Sequence, residues 1–494
     1  MRGFDLTPLP ESRWDTSAAA HLLNRAGWGG TPPEVARLQS LGRSGAVAQL
    51  LDFQAAPVAS TEPDWAHPDP DRAGKLRTLR DAPEEKRQEL LREIQKENRQ
   101  HLLELQYRWL KRMTQEGAPL QEKLTLFWHG HFATSAQKVR SPRLMYRQNE
   151  LFRTHCAGHW PTLLDSVTRD PAMLLYLDQA ESKPGHPNEN YARELMELFT
   201  LGEGNFTEQD VTETARALTG LTYDRRQQEA VHRPRLRDRQ PKTLFGETGD
   251  FNERDVVRVI TRQPAAAPFI AAKLWQYFAG KEVAPAEAEV LGTELLRHDY
   301  QFAPFLRTVF SSCEFYDLRW RRQQIKSPVQ LLVGACRQLE RALPPAPIAL
   351  NALRQLGQEL FNPPNVKGWD GGIAWINTAT LLTRHQLAQL LTTGENPLPP
   401  GHRRGNANQA RLAPLRARLF PVAPAPVDSL FPAADRHSPE SLVAALERRL
   451  LQSPFPAKDR TALLDFLRAQ PAIDTHVVMG ALRLALCTSE YQLT

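Results

Sequence analysis

The sequence predicts a mainly α-helical protein: a large irregular helical domain with long Pro- and Gly-rich loops and at most a small β ribbon. Three observations predict it. Apolar residues recur at helical spacing through most of the 494-residue chain. Strand-like alternation is scarce. Helix-start signals, a Ser, Thr or Asn ahead of Pro or an acid, recur along the chain. An apolar fraction of 41% with 8% aromatic residues is enough for a sizeable core.

Taken in order, "DTSAAAHLLNRAGWGG" reads as a helix ending at the Gly29–Gly30 pair. Thr31 then N-caps the next helix, with prolines in its first turn, where a missing N–H costs nothing. After a Pro/Asp-rich loop around Pro63 to Asp71 comes "EEKRQELLREIQKENRQHLLELQYRWLKRMTQ". Its apolar positions Leu90, Ile94, Leu102, Leu105, Trp109 and Met113 are spaced by fours and threes. One continuous helix there is roughly 50 Å long at ~1.5 Å per residue. Its first half is charged enough to project into solvent while the second half packs.

In "FTEQDVTETARALTG", Thr207 and Asp210 form a capping-box-like pair, Val211 and Leu218 mark a buried stripe, and Gly220 fits the stop. Short extended pieces near Leu221–Tyr223 and Thr243–Phe245 are expected to pair as the small ribbon. From about Glu395 the chain turns Pro-, Arg- and Ala-rich, as a linker or insertion does. Ser438 and Pro439 then start a final helical section. The expected organisation is a main helical domain over 1–394, including a charged projecting helix at about 84–116. A Pro/Arg-rich linker spans 395–437, and C-terminal helices over 438–494 pack on the main domain. No internal repeat is visible.

Composition excludes several classes. The net charge of +6 is small for this length. The densest basic stretch, "DRRQQEAVHRPRLRDRQPK", holds Arg225, Arg226, Arg233, Arg235, Arg237, Arg239 and Lys242. It lacks aromatic residues for base stacking and is diluted by three acids, so no nucleic-acid partner is expected. A solvated loop or an anion-binding lid are its two readings. Cys156, Cys313, Cys336 and Cys487 have neither zinc-knuckle nor disulfide-framework spacing. No apolar run approaches the ~20 residues of a membrane span, and no apolar leader opens the chain. A cytoplasmic location is expected for the chain as it stands, or an envelope or periplasmic one if a leader has been removed. No nucleophile elbow, phosphate-cradling loop or dinucleotide fingerprint is present.

Three constellations could carry chemistry. In "NENYARELMELFTLGEG", Glu194 and Glu197 share a helix face at i and i+3, with Arg193 placed i, i+4 to Glu197. Two carboxylates that close stay ionised together only when a cation or arginines neutralise them. The pair is therefore either an Arg/Glu network locking helices together or a pair of metal ligands. "QEKLTLFWHGHFATS" places His129 and His131 at or near a helix end. On a regular helix they point ~200° apart, but Gly130 lets the chain leave the helix so that both rings can face one side. Together His129, His131, Glu194 and Glu197 suit zinc, manganese or iron better than calcium. The alternative is a pair of buried, satisfied histidines. A separate oxygen-rich loop, Asp178 with Asn188, Glu189 and Asn190, suits either calcium or helix capping. Finally, "FNPPNVKGWDGGIAWINTATLLTRHQL" carries Trp369 and Trp375 on a rigid loop. These either form a stacking surface with Asn365, Lys367, Asp370 and Asn377 or plug a core, and the plug is favoured.

The chain resembles the bacterial "domain of unknown function 1800" family over nearly its full length. The likeness lies in "HLLNRAGWGGTPPEVARLQSLG", "LQEKLTLFWHGHFATS", "NENYARELMELFTLGEGNFTEQDVTETARALTGLTYD", "PFIAAKLWQYF", "KSPVQLLVGACRQL", "FNPPNVKGWDGGIAWINTATLLTR" and "SEYQLT". The resemblance implies a mainly helical fold and no settled biochemical function. Genes of the family often neighbour those of a sulfatase-like, alkaline-phosphatase-superfamily protein, which implies a possible partner. One departure is visible: family members tend to read His-Asp where this chain has Arg237 and Asp238, ahead of Lys242, Thr243 and Gly246.

Two functions follow as expectations. In the first, Glu194, Glu197 and Arg193 act catalytically beside a divalent metal on His129, His131, Glu194 and Glu197. The chemistry is metal-dependent hydrolysis of a polar or anionic substrate held by Trp369, Lys367 and Asn190. In the second, the protein is a non-catalytic scaffold or a partner subunit of the sulfatase/phosphatase-like neighbour.

Overall fold

A computed structural model of the chain describes residues 4–53, 62–115, 117–398 and 420–494. Among the described residues the fold is mainly α: 24 α-helices and two small two-stranded antiparallel sheets. Residues 399–419 of the expected linker lie outside the described residues.

The helices start where their capping chemistry dictates. Thr31 accepts from the Glu34 N–H while the Glu34 carboxylate takes the Thr31 N–H, which opens the helix Pro32–Ser40. Thr207 and Asp210 make the same reciprocal pair ahead of Glu208–Ala217, and Ser438 caps Pro439–Leu446. The first main helix, Thr16–Ala26, stops at Gly27, before the Gly29–Gly30 pair. A β-carbon on Gly27 would lie 2.8 Å from the Leu23 carbonyl oxygen, so the chain can turn there only with glycine. The turn also carries the Trp28 ring into the interior.

The long helix spans Glu84–Gln115, and its buried residues, Leu105, Gln106, Trp109, Leu110 and Met113, all lie in the second half. The ribbon differs from expectation. Leu221–Asp224 (β1) pairs with Glu229–His232 (β2), and Lys242–Leu244 (β3) pairs with Glu247–Gly249 (β4). The two expected strands each fold back on their own chain neighbour, because a tight turn is a lower-entropy route to pairing than a long closure.

Two apolar cores organise the helices. One joins the N-terminal helices to those between Phe152 and Trp320. The other gathers Leu105–Met113, the helix Pro328–Gln338, the helix Thr378–Thr393 and the C-terminal helices. The helix Pro119–His131 is shared, with Leu124, Phe127 and Trp128 in the first core and Leu126 in the second. A buried ion pair pins it: Arg153 reaches Glu122 through Nε at 2.6 Å and Nη2 at 3.0 Å, and the Trp109 indole N–H donates to the same carboxylate at 2.7 Å. No helix among the described residues is long and apolar enough to cross a membrane.

Candidate functional site

The shared helix carries both histidines, and it stays helical through His131. Gly130 does not release the chain, so the two rings diverge toward the two cores. His129 sits among Trp109, Phe361 and Trp369, at 5.3, 5.1 and 5.6 Å between ring centres. Its Nε2 accepts the backbone N–H of Phe361 at 2.9 Å. His131 lies among Phe127, Trp128, Phe132 and Phe199, with Nε2 3.0 Å from the Phe199 carbonyl oxygen.

These bonds set the tautomers. His129 accepts at Nε2, so its proton is on Nδ1 and neither nitrogen keeps a free lone pair. His131 donates from Nε2 to the carbonyl, leaving only Nδ1 able to accept. Burial disfavours the imidazolium and lowers the pKa of each to about 3; nearby Lys273 adds to the effect at His131, while the Phe199 bond opposes it. The two histidines are thus buried and neutral, each holding one backbone group through Nε2. The geometric reason they do not form a chelating pair is the unbroken helix. Among the described residues no three of His, Cys, Asp and Glu are gathered as metal ligands.

The glutamates stand differently. Both lie on the helix Glu189–Glu197 and are half-buried. Among the described residues neither side chain has a hydrogen-bond or ion-pair partner. Arg193 does not serve them: its guanidinium makes a bidentate pair with Glu208 at 2.8 and 2.6 Å, on the exposed side of the next helix. Burial first, then the Glu197 charge, raises the pKa of Glu194, against the pull of Lys367 and Arg193. Glu194 in turn adds to burial in raising the Tyr176 phenol.

Lys367 reaches this face from the rigid loop. The loop is pressed onto the end of the histidine helix, since a β-carbon on Gly368 would stand 2.2 Å from the Gly130 carbonyl oxygen. Gly368 also has φ +83°, which side chains rarely adopt. Trp369 follows, half-buried, with its indole N–H lacking an acceptor among the described residues. Trp375 is buried in its place on the loop and Asn377 caps the helix Thr378–Thr393, so neither belongs to a stacking surface.

A neighbour that the sequence reading passed over is Lys273. Its charge acts on His131, while that of Lys367 acts on Lys273. Its Nζ lies 5.2 Å from the Phe269 ring centre, and desolvation lowers its pKa. The signal was available as a lone lysine inside the apolar "PFIAAKLWQYF".

The oxygen-rich loop is a capping structure. Asn188 Oδ1 accepts from the N–H groups of Asn190 and Tyr191, Asp178 pairs with Lys138 at 2.8 Å, and Glu189 accepts from the Thr212 hydroxyl at 3.1 Å. Asn190 itself is exposed at the helix start. The basic stretch forms the β1–β2 hairpin and the turn after it. Lys242 is buried there on the Asp238 carbonyl and Asp250, while Arg233, Arg237 and Arg239 line a cleft of about 300 Å³ beside the His232–Glu253 pair.

The family described as "Protein of unknown function (DUF1800)" matches residues 21–493, and the chain belongs to it. No curated protein and no solved structure matches the chain.

Proposed function

We propose that the face formed by Glu194, Glu197 and Lys367 is the chemical centre of the protein, and that it hydrolyses a polar or anionic substrate there. The observation that supports this reading is the carboxylate pair itself, half-buried and unpaired among the described residues, with Glu194 raised in pKa by burial and by Glu197. Adjacent carboxylates whose environments push their pKa values apart can divide acid and base roles. In this reading Glu194 faces the leaving group as proton donor and Glu197 faces the attacking water as proton acceptor. Lys367 offers a positive charge to the substrate, and the Trp369 loop forms a wall. A zinc, manganese or iron ion would be held by the two glutamates, since His129 has no nitrogen lone pair to give.

The test combines turnover and metal content. Chromogenic phosphate, sulfate and carboxylate esters are assayed with untagged protein, and bound metal is counted by mass spectrometry. Glu194→Gln and Glu197→Gln are expected to lower kcat by about 100-fold or more, with little change in melting temperature. Variants that keep full turnover, or lose only stability, sink the reading.

A second reading is favoured by one observation. The first half of the helix Glu84–Gln115 contributes no buried residue and exposes Leu91. A scaffold or partner subunit would use such a helix to dock the sulfatase- or phosphatase-like neighbour. Co-purification with that protein, abolished by charge reversal along residues 84–100, supports it; a monodisperse monomer with the neighbour present in excess counts against it.

A further inference from the structure

Seven lysines and arginines of the described structure are at least nine-tenths buried: Arg25, Lys123, Arg153, Lys242, Lys326, Arg384 and Arg449. Burying a cation is costly unless acceptors replace its lost water. Six of the seven have them. Arg25 donates to the Trp320 and Phe278 carbonyls, Lys123 to Gly27, Arg153 to Glu122, Lys242 to Asp250, Arg384 to the Lys326 carbonyl and Arg449 to Gln338 and Glu340. Among the described residues the Lys326 ammonium has no acceptor at all. Its neighbour is the face of the Tyr491 ring, 3.6 Å from Nζ to the ring centre.

Lys326 lines a cleft of about 60 Å³, room for a few waters or one compact ion. Three more unsatisfied polar groups line it. The Arg322 Nη2, the Ser453 hydroxyl and the Thr494 hydroxyl are buried without a hydrogen-bond partner among the described residues. Arg321 adds a third cation at the rim, fixed by the Ser17 hydroxyl and the Tyr316 carbonyl. The acid at the cleft, Glu490, accepts from the Ser489 hydroxyl and is hydrogen-bonded to Asp459. Arg322 holds a left-handed backbone (φ 54°), a strained choice for a side chain so placed.

We propose that this cleft binds a small tetrahedral oxyanion, phosphate or sulfate, free or as a monoester headgroup, with Lys326, Arg322 and Ser453 as its donors. Unsatisfied donors, and three cations (Lys326, Arg322 and Arg321) against the Glu490 carboxylate, are what such an anion would satisfy. The cleft also joins three distant stretches of chain, contributed by the helix Thr16–Ala26, by Arg321–Lys326 and by the C-terminal residues. An anion bound there would tie both cores together. Burial and the charges of Arg384 and Arg322 push the Lys326 pKa down to about 7, and a bound anion would restore the ammonium. The site is separate from the Glu194–Glu197 face and stands whether or not that face is catalytic.

The experiment is isothermal titration and thermal unfolding of the full-length protein with inorganic phosphate, sulfate and methyl phosphate, against chloride at equal ionic strength. Saturable binding of phosphate or sulfate, with a rise in Tm that chloride does not give, is the expected result. Lys326→Met is expected to weaken binding by about 100-fold and, having lost an unpaired buried charge, to unfold at a higher temperature than the wild type in phosphate-free buffer. Arg322→Gln is expected to weaken binding while remaining folded. Methyl phosphate binding as tightly as phosphate identifies an esterified headgroup, and its exclusion identifies the free ion. Equal response of wild type and Lys326→Met overturns the proposal. So does a response lost in Arg239→Gln instead, which would place the ion in the arginine cleft, or no response beyond that to chloride.

Discussion

Gly368 lies directly against Gly130: a β-carbon on Gly368 would fall 2.2 Å from the Gly130 carbonyl oxygen. The missing side chain of Gly368 lets the end of the histidine helix and the tryptophan loop meet backbone to backbone. That contact carries Lys367 to the glutamate face and Trp369 over the His129 ring.

Gly368→Ala therefore meets two penalties, a left-handed backbone and a steric overlap with a carbonyl that cannot swing away. A loss of about 2–4 kcal/mol is expected in denaturant unfolding. If the loop detaches instead of the whole fold weakening, Trp369 fluorescence shifts red at denaturant concentrations well below the global transition.

Glu122 bridges Arg153 and the Trp109 indole in the interior. Glu122→Ala removes the carboxylate that two buried donors share and leaves Arg153 only the half-buried Glu150 as counter-charge, and a loss of roughly 3–5 kcal/mol is expected. A conservative Glu122→Gln recovers the indole bond but leaves Arg153 with Glu150 as its remaining counter-charge, so its stability falls between those of the wild type and Glu122→Ala. A double variant with Arg153→Met recovers part of the loss, which equilibrium unfolding of the cycle measures.

Arg193 is paired with Glu208 in solvent, and the chemistry proposed for the glutamates does not run through it. Arg193→Ala is expected to leave melting temperature and turnover close to wild type, whereas Lys367→Ala raises KM for an anionic substrate. A large fall in kcat for Arg193→Ala would mean that the arginine leaves Glu208 during the reaction.

What was legible in the sequence was local. Thr31, Thr207 and Ser438 each announce a helix start because the capping groups lie within three residues of one another. The run from Glu84 to Gln115 shows its helix by spacing alone. What stayed hidden depends on distant partners. The Phe361 N–H that occupies His129 is 232 residues away, and nothing near His129 announces it. The same holds for Arg193, whose partner sits on the following helix, and for Lys326, whose distinction is an acceptor it lacks. The two expected strands form but do not pair with each other, for a related reason: alternation marks a strand but does not say which neighbour it pairs with. Glu194 and Glu197 are visible as a pair, but that neither has an ion-pair partner among the described residues depends on Arg193 turning to Glu208.

The buried histidines make stability pH-dependent in a definite direction. Each has a folded pKa of about 3 against an unfolded value near 6.5, so the unfolded state binds the extra protons between those limits. The stability they allow is fully present above pH ~6.5 and is lost as pH falls toward ~3. The loss is on the order of 4 kcal/mol per histidine at full protonation of the unfolded state. His129→Gln keeps an acceptor for the Phe361 N–H but cannot titrate, so its unfolding midpoint should fall less steeply between pH 6.5 and 4 than that of the wild type. His129→Ala leaves that N–H without a partner and is expected to be less stable than His129→Gln at pH 7, by about 1–3 kcal/mol. Parallel pH profiles for wild type and His129→Gln would show that His129 is charged in the folded protein, contrary to its buried, N–H-accepting geometry.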